Sequence, residues 1–134
     1  MPKENVYRLQ ARVNEDTANA ARLGFPDWAV VMCFYAALHW INDYASRQGE
    51  KIDNFGASDS SQHSARWKYV KKLARAKNWG DLQDAYETLF RASITARYLK
   101  DLEGLDCSAR EHYAKYGVDF AFDCLKTIKN RLES

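Results

Sequence analysis

The sequence predicts an all-α fold, a four-helix up-down bundle with one short additional helix, in a single domain over residues 1–134. Apolar residues recur at helical spacing in five segments, which is typical of amphipathic helices. Only two prolines and six glycines are present, too few for the many turns of a β fold. With 46% hydrophobic and 28% charged residues, the composition is that of a globular domain with its own core.

The first two helices are predicted over residues 5–22 and 27–48. Gly24 is expected to end the first, because glycine takes the left-handed conformation easily. Pro26 suits the opening of the second, where a missing N–H group costs nothing. The second helix is apolar nearly all round, which is typical of the central helix of a bundle, and Gly49 ends it.

The second half of the chain predicts three more helices after an exposed loop. Residues 50–62 lack helical periodicity and are rich in loop-forming residues. A third helix is expected over 64–77 and a fourth, with the clearest apolar stripe, over 81–100. The fifth begins at Ser108, which has a glutamate three residues later as in a capping box, and it continues with Phe120 on its buried side.

Composition and segment lengths predict a cytoplasmic protein without membrane association. The longest apolar run, residues 29–41, has thirteen residues, whereas a membrane span needs roughly twenty. The N-terminus is polar and has no apolar signal region behind it. Cys33, Cys107 and Cys124 form neither a disulfide framework nor a zinc-ligand pattern, so we expect reduced, buried thiols. Neither a metal nor a cofactor is predicted.

A basic stripe on the third helix is the first candidate binding site. Residues 61–100 carry nine basic and three acidic residues, although the whole chain has a net charge of only +2. Four of these basic residues share one helix face: Lys68, Lys71, Lys72 and Arg75. RNA or another polyanion would relieve their mutual repulsion, and Tyr69 and Trp79 are candidates for base stacking. The alternative is a solvated face that only aids solubility.

Two sets of polar residues are candidates for catalysis or anion binding. His63 and Arg66, at the start of the third helix, could hold a phosphate together, or they could only cap and decorate the helix. Tyr35, His39 and Asp43 are spaced one turn apart on the second helix. Asp43 could orient His39 and raise its pKa, as a general acid or base requires. The alternative is a histidine satisfied by a local carboxylate, since no nucleophile or metal ligand stands near.

Three short segments resemble HEPN domains. Residues 34–39, Phe-Tyr-Ala-Ala-Leu-His, resemble the Tyr-Tyr-Ala-x-x-His stretch of their early helix. Residues 86–98 are similar to the Tyr-x-x-Leu and Ala-Asp-Tyr stretches of their later helix, and residues 63–70 resemble the histidine-bearing segment between the two. The resemblance implies a four-helix bundle that often dimerises and acts in toxin–antitoxin, defence or RNA-processing systems. Several such domains are metal-independent ribonucleases, and others pair with a minimal nucleotidyltransferase.

The resemblance favours a non-catalytic or divergent member. Catalytic HEPN domains carry an arginine followed, after four to six residues, by a histidine, and no histidine of this chain has such an arginine. Arg97 stands where many relatives have aspartate. We therefore expect a homodimeric module that binds nucleic acid, nucleotide or a nucleic-acid-handling partner. The alternatives are a metal-independent ribonuclease, using His39 or His63 with Arg66 or Arg97, and a purely structural oligomerisation module.

Overall fold

The computed structural model describes residues 5–56, 61–99, 108–115 and 117–133, and all regular structure in these ranges is helical. Its α-helices are, in order, α1 (Val6–Ala21), α2 (Pro26–Arg47), α3 (Gln62–Lys77), α4 (Gly80–Tyr98), α5 (Ala109–Lys115) and α6 (Val118–Leu132). A short 3-10 helix, Ile52–Phe55, precedes α3. Because the described residues contain no β-strand, the predicted all-α class is confirmed.

Helix α2 lies at the centre of the packing, as its apolar surface predicted. It contacts α1, α4, α5 and α6, which gives the arrangement of a helix bundle. Trp40 and Ile41 of α2 are fully buried, and Leu89 of α4 and Ile128 of α6 are buried with them. Helix α3 packs instead on α4 and on the 3-10 helix. Among the residues that the structure describes, no helix is both long enough and apolar enough to cross a membrane.

Several helix ends have local causes that the sequence displays. The side chains of Asn5 and Ser61 accept hydrogen bonds from backbone N–H groups in the first turns of α1 and α3. Gly49, just beyond α2, has a φ of +72°, the left-handed conformation expected there. The predicted capping box is confirmed at α5, where Ser108 Oγ accepts a hydrogen bond from the Glu111 backbone N–H at 3.1 Å.

Two other helix ends differ from the prediction. Gly24 does not take the left-handed conformation, because α1 already ends at Ala21 and the next residue, Arg22, stays right-handed. The expected fifth helix is divided into α5 and α6, and Gly117, with a φ of +100°, stands immediately before α6. This break turns Phe120 outward, so that 59% of it is exposed, and its predicted place in the core is wrong.

The buried thiols match their prediction where they are described. Cys33 and Cys124 are free and buried. Burial raises the pKa of Cys33 to about 12 and that of Cys124 to about 11, so both stay protonated and unreactive at neutral pH. Cys107 lies outside the described residues.

A buried carboxylate joins three helices. The Asp43 side chain of α2 is fully buried, and its Oδ2 accepts a hydrogen bond from Arg47 Nε at 3.1 Å. The same oxygen lies 3.4 Å from the Nε of Arg8 on α1. Arg47 also donates a hydrogen bond to the carbonyl of Leu132 at the end of α6. One carboxylate therefore connects α1 to α2 directly, and through Arg47 it also connects α2 to α6.

Replacing Asp43 with asparagine is expected to lower the free energy of unfolding by about 3 kcal/mol, because two arginines lose the buried charge that faces them. The matched control is Asp119→Asn. Asp119 also pairs with an arginine, but its side chain is 82% exposed, and exposed ion pairs contribute only about 0–1 kcal/mol. Urea unfolding followed by circular dichroism measures both variants. Equal losses would contradict the structural role of the buried carboxylate.

Candidate nucleic-acid interface

The basic stripe, defined as Lys68, Lys71, Lys72 and Arg75, lies along the outer side of α3. Three of its side chains are exposed, and Lys71 is partly exposed. None of the ion pairs among the described residues involves the stripe. Lys71 Nζ lies 5.3 Å from the centre of the Trp67 ring, and Lys72 Nζ lies 5.0 Å from that of Phe55. The four charges are therefore available to an anionic ligand.

A small aromatic cavity lies between α3 and α4, beside the stripe. Its volume is about 170 Å³, and it is lined by His63, Trp67, Tyr86, Glu87, Phe90 and Arg91. His63 stacks on Phe90 with ring centres 3.8 Å apart, and Trp67 stacks on Tyr86 with ring centres 6.0 Å apart. The two rings on each helix are four residues apart, so the helical repeat places the stacked pairs side by side.

The structure changes which aromatic residues are candidates for base stacking. Tyr69 is only 4% exposed and packs edge-on against Phe55. It is therefore not available for base stacking, and the prediction that it is a candidate is wrong. Trp79 is half-buried against Tyr44, with ring centres 6.2 Å apart. Trp67, whose helical spacing with Val70 predicts that it faces the core, packs partly against the core and also lines the aromatic cavity. Its position four residues before Lys71 is the signal that could have placed it beside the stripe.

A buried cationic cluster lies on the inner side of α3. Arg66 is only 6% exposed, and its Nε donates a hydrogen bond to Asn42 Oδ1 at 3.3 Å. The guanidinium adds to the lowering that burial causes in the pKa values of His39 and His63, and it opposes the rise that burial causes in the pKa of Tyr86. These five residues form the Arg66 cluster. No carboxylate among the described residues pairs with Arg66, although an unpaired buried charge is costly.

The Arg66 cluster favours neutral histidines. Burial, followed by the charge of Arg66, lowers the pKa of both His39 and His63. The Nδ1 atom of each imidazole is buried and has no hydrogen-bond partner among the described residues. Burial raises the pKa of Tyr86, against the opposite effect of Arg66, so its hydroxyl stays protonated. The cluster therefore combines one fixed positive charge with unpaired polar atoms.

Tyr35, His39 and Asp43 do not form the general acid or base arrangement that the sequence suggested. Asp43 is engaged by the two arginines described above, and the pKa of His39 is lowered. The prediction that Asp43 raises it is therefore wrong. Tyr35 accepts a hydrogen bond from Arg97 Nη1 at 3.0 Å. Tyr35 and Arg97 thus form a pair that links α2 to α4, and this pair does not include His39.

The structure brings His63 and Arg66 together, but not at the surface. Arg66 points to the inner side of α3, whereas Lys68 and the rest of the stripe lie on its outer side. Two members of the cluster, Asn42 and Tyr86, were missed by the sequence analysis. They come from α2 and α4, and no spacing within α3 could have revealed them.

Comparison with known proteins identifies no relative: no family model, curated protein or solved structure matches this chain. The HEPN resemblance therefore remains a prediction from the three segments. Within the described ranges, no group of three or more His, Cys, Asp or Glu side chains is arranged to hold a metal ion.

The free energy of unfolding is expected to fall as the pH drops below about 6.5. The lowered pKa values of His39 and His63 mean that the unfolded chain binds protons more readily than the folded chain. The loss begins near the unfolded value of 6.5 and grows until the lower, folded values are reached. Urea unfolding between about pH 8 and pH 5, where most carboxylates stay ionised, measures it. Replacing both histidines with glutamine should flatten this part of the profile, and an unchanged profile would refute the assignment.

Proposed function

We propose that this chain binds single-stranded nucleic acid, RNA in the first instance, along α3. The observation that carries the proposal is the contact between the basic stripe and the aromatic cavity, where Lys71 Nζ lies 5.3 Å over Trp67. Phosphate contacts and base stacking are the two interactions by which proteins commonly hold single strands. The HEPN resemblance supports the same class of ligand. It also suggests an up-down HEPN-type bundle that works as a homodimer or with a nucleotidyltransferase-type partner.

In this proposal the stripe and the cavity contribute different interactions. The stripe runs over two helical turns from Lys68 to Arg75, so it can contact more than one backbone phosphate without reading sequence. The half-buried Trp67 offers a ring at the cavity entrance, and stacking a base on such a ring contributes about 1–3 kcal/mol. Arg91, on the opposite side of the cavity, adds a second positive charge, although it pairs with Glu87 at 2.8 Å.

Reversing one charge of the stripe tests the surface. Lys68→Glu is expected to weaken the binding of a labelled single-stranded RNA about tenfold at low salt, and to reduce the salt dependence by about one phosphate contact. Its melting temperature should not change, because Lys68 is exposed. Lys126→Glu is the matched control, since Lys126 is an exposed lysine on α6. Fluorescence anisotropy at about 50 and 200 mM salt measures both. Equal affinities in the two variants would refute the stripe as the binding surface.

A second candidate function, metal-independent RNA cleavage, is favoured by the convergence of His39, His63 and Arg66. Attack by a ribose hydroxyl needs a base, an acid for the leaving oxygen and a cation beside the phosphate. A neutral histidine can be the base, but the lowered pKa values leave no protonated histidine for the acid at neutral pH. The near-complete burial of Arg66 also keeps it from an internal phosphodiester. Binding without cleavage is therefore the leading proposal.

The two candidate functions differ in the fate of the RNA. Protein prepared in a chelator is expected to retard single-stranded RNA on a gel while leaving the strands intact near pH 7.5. His39→Gln and His63→Gln should retard RNA without a terminal phosphate equally. Cleavage in the chelator that disappears in either histidine variant would instead establish the ribonuclease. Cleavage that persists in both variants would point to a contaminating nuclease.

A further inference from the structure

We propose that the Arg66 cluster is a binding site for a phosphate group at the end of a ligand, either the terminal phosphate of a nucleic-acid strand or free phosphate. If the phosphate belongs to a nucleic-acid strand, this inference rests on the proposed function and adds that the phosphorylated end of the strand is recognised. If the phosphate is free, the inference does not depend on the proposed function. The site differs from the stripe because Arg66 lies on the inner side of α3.

Arg66 lacks a counter-charge among the described residues. A guanidinium has five N–H donors; Nε donates to Asn42, and the Tyr86 hydroxyl lies within hydrogen-bond reach of the group, so most of the donors remain for a ligand. Among the described residues, the other buried charged side chain, Asp43, is compensated by two arginines. Arg66, in contrast, has no carboxylate partner there. An anion is therefore the component that would complete this site.

Two cavities border the Arg66 cluster. His63 and Tyr86 line the aromatic cavity of about 170 Å³. Asn42 lines a larger cavity of about 480 Å³ between the end of α2 and the 3-10 helix. A water molecule takes about 30 Å³, so either cavity can admit a group of a few heavy atoms to the edge of the cluster. Arg66 is thus buried, yet its neighbours border open space.

The burial of Arg66 favours a terminal phosphate over an internal one. An internal phosphodiester would have to bring two nucleosides to a guanidinium that is only 6% exposed. A terminal phosphate brings one nucleoside, and a free phosphate brings none. Each also carries a charge of about −1.5 to −2 at pH 7 and has three or more oxygens free to accept hydrogen bonds. These oxygens match the planar fork of arginine, and the charge of Arg66 reaches His39 and His63, each of which has an unpaired Nδ1 atom.

Two measurements on the wild-type chain test the site. Inorganic phosphate is expected to raise the melting temperature by a few degrees above sodium chloride of the same ionic strength, because a ligand of the folded state stabilises it. Short single strands with a 5′- or a 3′-phosphate are expected to bind about tenfold more tightly than the same strands without one. The first measurement detects the free ligand and the second the strand-borne ligand. If phosphate has no effect in either, the inference is overturned.

Variants at Arg66 decide where the phosphate binds. Arg66→Met should abolish both phosphate effects, and it should melt at the same or a higher temperature without phosphate, because a buried unpaired charge is removed. If this variant does not fold, Arg66→Lys serves, since it keeps the charge and loses the fork. Lys126→Met, at an exposed position of α6 outside both the stripe and the cluster, is the control and should keep both effects. Phosphate effects that survive in the Arg66 variant would overturn the inference.

The same data separate this inference from the proposed function. Salt-sensitive binding of unphosphorylated strands, with no gain from a terminal phosphate, would leave the stripe proposal standing and overturn the phosphate site. Stabilisation by inorganic phosphate that depends on Arg66, in a chain that binds no strand, would support the phosphate site and overturn the stripe proposal.

Discussion

Asp43 can be buried in the centre of the bundle because Arg8 and Arg47 face its carboxylate from α1 and from the next turn of α2. Helix α2 contacts four of the other helices, so its position fixes theirs, and the Asp43 contacts fix where α1 lies against it. Through the bond from Arg47 to the Leu132 carbonyl, the same carboxylate also secures the end of α6. Removing its charge would therefore loosen three helices at once.

Helix formation was predictable because its causes are local. Apolar spacing, Gly49 after α2 and the capping box at Ser108 all act within a few residues, and the structure agrees with each. The break before α6 was not predictable. A side chain at Gly117 would meet the Tyr113 ring at 3.3 Å, and the left-handed backbone there suits glycine. That contact is made with α5, so a periodicity that continues through the break cannot reveal it.

The candidate site also has one part that was predictable from the sequence and one part that was not. The stripe was predictable, because spacing within one helix determines which side chains share a face. The direction of the His39 pKa shift was not, since it depends first on how deeply the imidazole is buried and then on which charge is nearer in space. Asp43 lies four residues away on the same helix but is engaged elsewhere, whereas Arg66 comes from α3. Likewise, Asn42 and Tyr86 join Arg66 only through the packing of α2, α3 and α4.

Helix α3 thus carries positive charge on both sides, with opposite consequences. On the outer side, charges such as Lys68 remain hydrated, which gives salt-sensitive attraction to any polyanion and little selectivity. On the inner side Arg66 is only 6% exposed and has no carboxylate partner among the described residues, so an apolar residue would be the more stable occupant of that position. A desolvated cation discriminates strongly between ligands that supply a well-placed anion and ligands that do not. Attraction by the stripe and selection by Arg66 would therefore act on the same ligand from separate places on one helix.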